Sequence, residues 1–320
     1  MADRSAAAMS SASSSGAFAA ACIQQHLRHV VDLQADVLAD RDPEPLHQLR
    51  VRFRRLRSTL KQFAPALVLP PSADDGRIAK IARRLGMARD LDVLRLRLDQ
   101  DLLPLLPEQE LLALKKMFKQ LRRERKLAFE ELVEILQSRR YLRLLADLQG
   151  WLKQPGFTPL GDEPVLGWLP QWKLAVLADL LPHPGWRVDD PHGTSGLEAV
   201  HQLRRRLKAA RYGLANLRGL EPDDTALDRW VSRFKAMQET LGDLNDLQVL
   251  QSAITRQLDS EIDAVVPTLA ALLADSRTTA WDQWLQLSAA LRPIAGRQQL
   301  YAFILDSPSP QPVSPQPVTA

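Results

Sequence analysis

HQLRVRFRRLRSTLKQF, residues 47–63, has apolar side chains that recur every three or four positions. This spacing is typical of an amphipathic α-helix, which turns by about 100° per residue. On such a helix Leu49, Phe53 and Leu56 share one face, which we expect to pack into a core. A second face, an arc of about 80°, carries only basic side chains: His47, Arg50, Arg54, Arg57 and Lys61. The segment therefore predicts a helix with a buried face and a neighbouring basic stripe.

The same pattern returns later in the chain. HQLRRRLKAARYGLANL begins 154 positions after the first copy, and LGMARDLDVL at residue 85 is matched 156 positions later by LGDLNDLQVL at residue 241. Two motifs that recur in the same order, with nearly the same offset along the chain, indicate an internal duplication. We expect two helical bundles related by a pseudo-twofold axis, with the histidine helices together around a basic groove or cavity. The second stripe consists of His201, Arg204, Lys208 and Arg211, with Arg205 on its flank.

The rest of the chain predicts an all-α fold, because no segment alternates as a half-buried strand would. Helices are predicted near 18–39, 44–63, 74–103, 108–136, 139–153, 168–181, 197–219, 224–258, 260–274 and 278–290, with breaks at proline and glycine. We expect a disordered N-terminal segment (1–16), a first helical half (17–153), a linker (154–167), a second half (168–292), a short helix or extension (293–306) and a disordered proline-rich tail (307–320).

Composition narrows the class of protein. The 320 residues are 45% hydrophobic, which suffices for a sizeable core and excludes global disorder. The single cysteine, Cys22, excludes a disulfide framework and a cysteine-based zinc cluster. No run of about 18 apolar residues is present, so we expect no membrane span. The Ser/Ala-rich start lacks the apolar core of a signal peptide. These features favour a cytoplasmic protein.

Both stripes lack acidic residues. None occurs from 47 to 63 or from 201 to 220, although surface helices usually intersperse Glu with Lys. Like charges on one stripe repel by about a few tenths of a kcal/mol per pair, so a bound polyanion would stabilise them. The planar guanidinium group of arginine can donate two parallel hydrogen bonds to phosphate oxygens. The stripes therefore indicate a site for a linear chain of phosphates, with a solvated helix face as the alternative.

The motif residues have two interpretations each. His47 and His201 either make a structural hydrogen bond at the helix start or contact phosphate once protonated. Their spacing does not favour a metal site. In the LG-x-x-[RN]-D motif we expect Gly86 and Gly242 to allow close helix packing. We expect its carboxylates to hold arginines of the histidine helices in position; these are Asp90 and Asp246.

Other basic residues extend the predicted surface. Arg89 and Lys235 are expected to support the anion site. A secondary basic surface is expected at Lys119, Arg122, Lys126, Arg139, Arg140 and Arg143. A solvated face explains this secondary surface equally well, because it forms no clean stripe.

The four motifs, in this order, resemble the CHAD family, the conserved histidine α-helical domains. The resemblance covers about residues 18–290. It implies two similar helical bundles with basic residues around a central cavity or groove, and inorganic polyphosphate as the ligand, in some members on polyphosphate granules. By motif position it assigns the anion site to His47, Arg50, Arg54, Arg57, His201, Arg204, Lys208 and Arg211, with Lys61, Arg205, Arg89 and Lys235 as supporters.

The resemblance also implies binding without catalysis. Family members are often fused to a CYTH triphosphate-tunnel domain, but the first CHAD helix starts within about twenty residues of the N-terminus and no ExExK signature occurs. We therefore expect a stand-alone CHAD protein with no catalytic residue, no cofactor and no metal. Asn245 stands where the first copy has Arg89, so the two halves need not contribute equally.

Three other functions compete with this hypothesis. A phosphohydrolase or kinase would need a glycine-rich phosphate loop or a carboxylate cluster, which the sequence lacks. A general polyanion or nucleic-acid binder would show salt-sensitive, sequence-independent binding, but the basic helices offer few aromatic side chains for base stacking. A scaffold role for the proline-rich tail is compatible with any of these. The oligomeric state does not follow from the sequence.

Overall fold

Residues 13–190, 194–221, 223–258 and 261–306 are described by the computed structural model. Their regular structure is helical apart from one antiparallel pair of two-residue strands, β1 (Leu67–Val68) and β2 (Gly156–Phe157). The predicted all-α class is therefore confirmed. Within these residues no helix combines the length and apolarity that crossing a bilayer requires.

The helices are given in chain order. Those of the first half are α1 (Ser15–Asp32), α2 (Gln34–Ala39), α3 (Pro43–Gln62), α4 (Asp75–Arg97), α5 (Glu108–Gln137) and α6 (Arg139–Trp151). The remainder are α7 (Pro159–Asp162), α8 (Leu169–Leu177), α9 (Thr194–Ala215), α10 (Thr225–Leu258), α11 (Ile262–Val265), α12 (Pro267–Ser288) and α13 (Gln298–Leu305). The histidine helices are thus α3 and α9.

Local chemistry explains where the helices of the first half begin. The Asp42 carboxylate accepts a hydrogen bond from the Glu44 N–H at 2.7 Å and Pro43 occupies the first turn, so α3 starts there. Asp74 caps α4 in the same way, at 3.0 Å from the Arg77 nitrogen. Helix α1 starts at Ser15, inside the segment predicted to be disordered, because the Ser14 hydroxyl caps it. Residues 1–12 and 307–320, also predicted to be disordered, lie outside the described residues.

The structure departs from the predicted helix bounds in further places. The helix predicted at 18–39 is divided at Leu33 into α1 and α2. The predicted helices 260–274 and 278–290 are replaced by the short α11 and the continuous α12. Residues 275–279 contain no glycine or proline, so nothing stops α12 there. The predicted linker 154–167 is not irregular throughout, because it contains β2 and α7.

The two halves meet where α3 ends. The Asn216 amide donates a hydrogen bond to Gln62 at 3.1 Å, and Gln62 donates to the carbonyl of Trp172 at 3.3 Å. The rings of Phe63 and Trp172 lie 4.8 Å apart. Gln62 and Asn216 are 154 positions apart, the separation of the two histidines. Contact between matching positions is what a pseudo-twofold axis requires; the duplication itself remains a prediction.

A second core also joins the halves. Leu98 and Leu114 of the first half pack with Leu250 and Leu269 of the second, all with buried side chains. Glu110 lies beside this core with 5% of its surface exposed. Its carboxylate accepts hydrogen bonds from the N–H groups of Thr268 and Leu269, at 2.9 and 3.1 Å. A first-half side chain therefore caps the N-terminus of α12.

Candidate functional site

The two basic stripes meet between α3 and α9. The Lys208 ammonium of α9 lies close to the guanidinium groups of Arg50 and Arg54 of α3 and to that of Arg204. Burial, together with these positive charges, lowers the pKa of Lys208 to about 6. His47 completes the group, with Arg89, Arg50 and Arg54 nearby. We name the group the central cluster: His47, Arg50, Arg54, Arg89, Arg204 and Lys208.

Arg50 is held in place by the LGMARD motif. Its Nη1 donates to Asp90 Oδ1 at 2.5 Å and to the Gly86 carbonyl at 3.4 Å, and 15% of the side chain is exposed. A Cβ at Gly86 would lie 3.7 Å from the guanidinium carbon. The predicted role of Asp90 in positioning an arginine therefore agrees with its contacts. The group that approaches Gly86 is an arginine side chain, where we expected a packed helix.

Arg204 occupies the matching place in the second half. A Cβ at Gly242 would lie 3.4 Å from its Nε and Nη2 atoms, so the guanidinium again rests against a glycine. Among the described residues Arg204 has no ion pair, in contrast to Arg50. Asp246, the counterpart of Asp90, instead accepts a hydrogen bond from the Asn245 amide at 3.1 Å. Asp246 thus differs from our expectation that it would hold an arginine.

The cluster contains buried donors without acceptors. The Nε atoms of Arg50, Arg89 and Arg204 are buried and have no hydrogen-bond partner among the described residues. A buried unsatisfied polar group costs about 1–3 kcal/mol, and more when it is charged. Oxygen atoms of an anion would neutralise the repelling cations and accept hydrogen bonds from the same guanidinium groups.

The two histidines have different surroundings. Burial lowers the pKa of His47, and the positive charges of Arg89, Arg50 and Arg54 act in the same direction against the opposing Glu44. The Nδ1 atom of His201 lies 2.9 Å from Oδ1 of Asn245. An amide oxygen only accepts, so this Nδ1 carries the hydrogen. The position where the repeats differ, Arg89 against Asn245, is therefore the position that each histidine faces.

Tyr212 belongs to the site and was missed in the sequence. Its side chain lies beside that of Arg54, and 7% of the residue is exposed. Burial and the charge of Arg50 lower the pKa of Arg54 to about 10, so Arg54 remains charged near neutral pH. Tyr212 lies eleven residues after His201, about 20° from it on the helical wheel. This position beside the basic stripe is the feature of the sequence that could have identified Tyr212 as a site residue.

Several predicted stripe residues lie outside the central cluster. Both oxygens of Asp75 accept hydrogen bonds from Arg57, at 2.7 and 2.9 Å, and these bonds lower the pKa of Asp75. Lys61 and Arg205 are exposed. The Arg211 guanidinium lies 4.5 Å from the centre of the Tyr212 ring. The Lys235 ammonium lies 3.7 Å from Glu239, on the same helix.

The secondary basic residues lie exposed on α5 and α6; these are Lys119, Arg122, Lys126, Arg139, Arg140 and Arg143. Lys126 lies 3.9 Å from Glu130 and Arg143 lies 3.5 Å from Asp147, each one turn along its helix. Such pairing is ordinary for a solvated helix face. Within the described residues no group of three His, Cys, Asp or Glu side chains could hold a metal ion.

These features define an all-α protein with a half-buried cluster of cations between two helical halves. The model of the CHAD domain family matches residues 21–255, and the chain belongs to this family. The crystal structure of the CHAD domain from the plant Ricinus communis is similar, with a TM-score of 0.62, 27% identity, and coverage of 92% of this chain and 94% of that one. PptA from Streptomyces chartreusis shares the fold at a TM-score of 0.65, with 21% identity over 86% of this chain and 99% of PptA.

A curated sequence gives a further comparison, over a shorter part of the chain. An uncharacterised protein of Mycobacterium tuberculosis is 29% identical over 220 residues, which make up 67% of this chain and 40% of that protein. The chain therefore aligns with less than half the length of this relative.

Proposed function

We propose that this protein binds inorganic polyphosphate at the central cluster and does not hydrolyse it. The observation that carries the proposal is the set of buried arginine donors without acceptors, on Arg50, Arg89 and Arg204. A chain of phosphates offers several anionic groups to the cations that α3, α4 and α9 contribute. Membership of the CHAD family supports the same ligand.

The absence of hydrolysis rests on the carboxylates near the cluster. Asp90 is engaged by Arg50 at 2.5 Å. Phosphate transfer from polyphosphate usually requires a divalent cation held by carboxylates, and the described residues contain no group of three His, Cys, Asp or Glu side chains that could hold a metal ion. We propose a binding protein of the cytoplasm, located where polyphosphate collects, such as a polyphosphate granule.

A general polyanion surface is the second candidate. The cations would then bind nucleic acid with comparable affinity, in a strongly salt-dependent manner. The partial burial of the cluster favours polyphosphate: Lys208 and Arg54 are half-buried, and a thin phosphate chain reaches such side chains more readily than a duplex does.

The test reverses the charges of Arg54 and Lys208 together. We expect Arg54→Glu/Lys208→Glu to abolish binding of long-chain polyphosphate near physiological salt, because it places two carboxylates where the anion lies. The control variant Lys80→Glu/Arg83→Glu changes the same two residue types at exposed positions of α4. It should bind as the unaltered protein does.

Binding is measured by competition with tripolyphosphate, ATP and duplex DNA, and released phosphate is measured with and without Mg²⁺. Circular dichroism and melting temperature verify that both variants fold. Equal competition by DNA would replace polyphosphate by a general polyanion. Release of phosphate would make the protein an enzyme, and undiminished binding by the double variant would place the site elsewhere.

A further inference from the structure

A second group of cations lies beside the central cluster, at residues that lie off the basic stripe of α3. Arg55 of α3 is close to Arg52 of the same helix and to Arg211 and Arg218 of α9 and the turn after it. Burial and the charge of Arg52 lower the pKa of Arg55, Arg211 and Arg218 add to the effect, and Tyr212 opposes it. We name Arg52, Arg55, Arg211 and Arg218 the flanking cluster.

Most of this charge is not neutralised. Arg218 pairs with Asp228 at 2.7 Å. Within the part of the chain that the structure describes, Arg52, Arg55 and Arg211 have no ion pair, and the Nε atom of Arg55 is buried without a hydrogen-bond partner. The flanking cluster therefore has the two properties that mark the central one, namely crowded cations and an unsatisfied buried donor.

A buried histidine extends the flanking cluster towards α1. His26 is 6% exposed, its Nδ1 atom has no hydrogen-bond partner among the described residues, and Asn216 lies beside its side chain. Burial and the charges of Arg55 and Arg52 lower the pKa of His26 to about 4. The imidazole is therefore neutral at physiological pH and adds no repulsion to the arginines, yet it presents an unused polar atom beside them.

Tyr212 connects the two clusters. It lies beside Arg54 of the central cluster, and the Arg211 guanidinium of the flanking cluster lies 4.5 Å from its ring centre. Arg55 follows Arg54 directly in the chain and is also close to Tyr212. The two groups of cations are thus continuous, with one tyrosine between them.

We propose that the flanking cluster is a second phosphate subsite, occupied by a further stretch of the polyphosphate chain that fills the central cluster. The proposal rests on the proposed function. A short chain fills the central cluster, which offers more buried donors, and a long chain passes Tyr212 and satisfies Arg55 as well. Affinity therefore depends on chain length, and Arg55 contributes only when the chain is long.

The experiment compares tripolyphosphate with long-chain polyphosphate. We expect Arg55→Gln to lower the affinity for the long chain by about tenfold, as expected for the loss of a charge-assisted hydrogen bond, and to leave that for tripolyphosphate unchanged. The slope of log affinity against log salt should become shallower by about one for the long chain only. Arg55→Lys should restore most of the long-chain affinity, because it keeps the charge.

The matched control is Arg206→Gln. Arg206 is also an arginine of a histidine helix, but it is 46% exposed and pairs with Asp179 at 2.8 Å. It should bind both ligands as the unaltered protein does. Melting temperature is measured for each variant, and the half-buried Arg52→Gln provides a second variant if Arg55→Gln unfolds.

The outcomes separate this inference from the proposed function. If the unaltered protein binds neither ligand, the proposed function fails. If it binds both and Arg55→Gln weakens both equally, or weakens neither, the second subsite is overturned while polyphosphate binding stands. A loss confined to the long chain supports the subsite.

Discussion

Arg50 and Arg204 occupy matching positions in the two halves, and each lies against a glycine of the next long helix. They differ in their partners. Asp90 binds Arg50 at 2.5 Å, whereas Arg204 has no ion pair within the described residues, and Asp246 is engaged by Asn245. The first half thus fixes its arginine with a carboxylate before any ligand arrives. The second half leaves its arginine without a carboxylate partner, free to contact the proposed ligand, so the two copies of the motif differ in how they hold their arginine.

The largest expected effect concerns these two arginines. Arg204→Gln should reduce polyphosphate affinity by about 2 kcal/mol, and Arg50→Gln by about 1 kcal/mol, because hydrogen bonds to charged groups are worth roughly 1.5–3 kcal/mol and Asp90 already compensates Arg50. Affinities are compared by titration at fixed pH and salt. Equal losses would mean that Asp90 does not weaken the contribution of Arg50, and the comparison between the halves would fail.

A smaller expected effect is a pH dependence of affinity, which arises because Lys208 titrates and its counterpart Arg54 does not. The Arg54 side chain is charged throughout the physiological range, whereas the pKa of Lys208 is about 6, so most Lys208 side chains are neutral at pH 7 without ligand. Bound phosphate favours the ammonium and raises its pKa, so binding takes up a proton. Affinity should therefore rise as the pH falls from 8 to about 6.

Lys208→Arg tests this assignment, because it keeps the charge and removes the titration. The variant should bind more tightly than the unaltered protein at pH 8 and about equally at pH 6. His47, whose pKa is also lowered, should leave a residual slope in the same direction. An unchanged slope in Lys208→Arg would show that Lys208 does not titrate on binding.

The smallest effect concerns the two glycines. A Cβ would lie 3.7 Å from the nearest guanidinium atom at Gly86 and 3.4 Å from it at Gly242. Both distances allow a methyl group, and alanine is favoured over glycine inside a helix by about 1 kcal/mol. Gly86→Ala should therefore raise the melting temperature and leave binding unchanged, and Gly242→Ala should stabilise less. A strong loss of stability in Gly86→Ala would show that a packed helix needs the glycine.

Much of the fold follows from apolar periodicity and caps. Helix α3 was predicted at 44–63 and lies at Pro43–Gln62, because Asp42, Pro43 and Pro65 mark its ends. The meeting of the stripes follows from the repeat. The continuous α12 differs from the two helices predicted there, and residues 275–279 contain no glycine or proline that would end it.

The site was less predictable than the helices, for a physical reason. A helical wheel gives the direction in which a side chain leaves its helix, but the partner comes from another element. Arg57 lies on the stripe, but its guanidinium forms an ion pair with Asp75. The position of Asp75 depends on where α4 begins. Arg55 points off the stripe, yet it meets cations of α9. Neither contact can be derived before the packing of α3 against its neighbours is known.

Because Glu110 of the first half caps α12 of the second half, neither half is expected to fold independently. Cutting at the linker would leave the Thr268 and Leu269 N–H groups without their acceptor and expose Leu98 and Leu114 to water. Each half alone would therefore be an incomplete folding unit, even though its sequence repeats. Two fragments expressed together should assemble through this shared core and reconstitute a single protein from separate polypeptides.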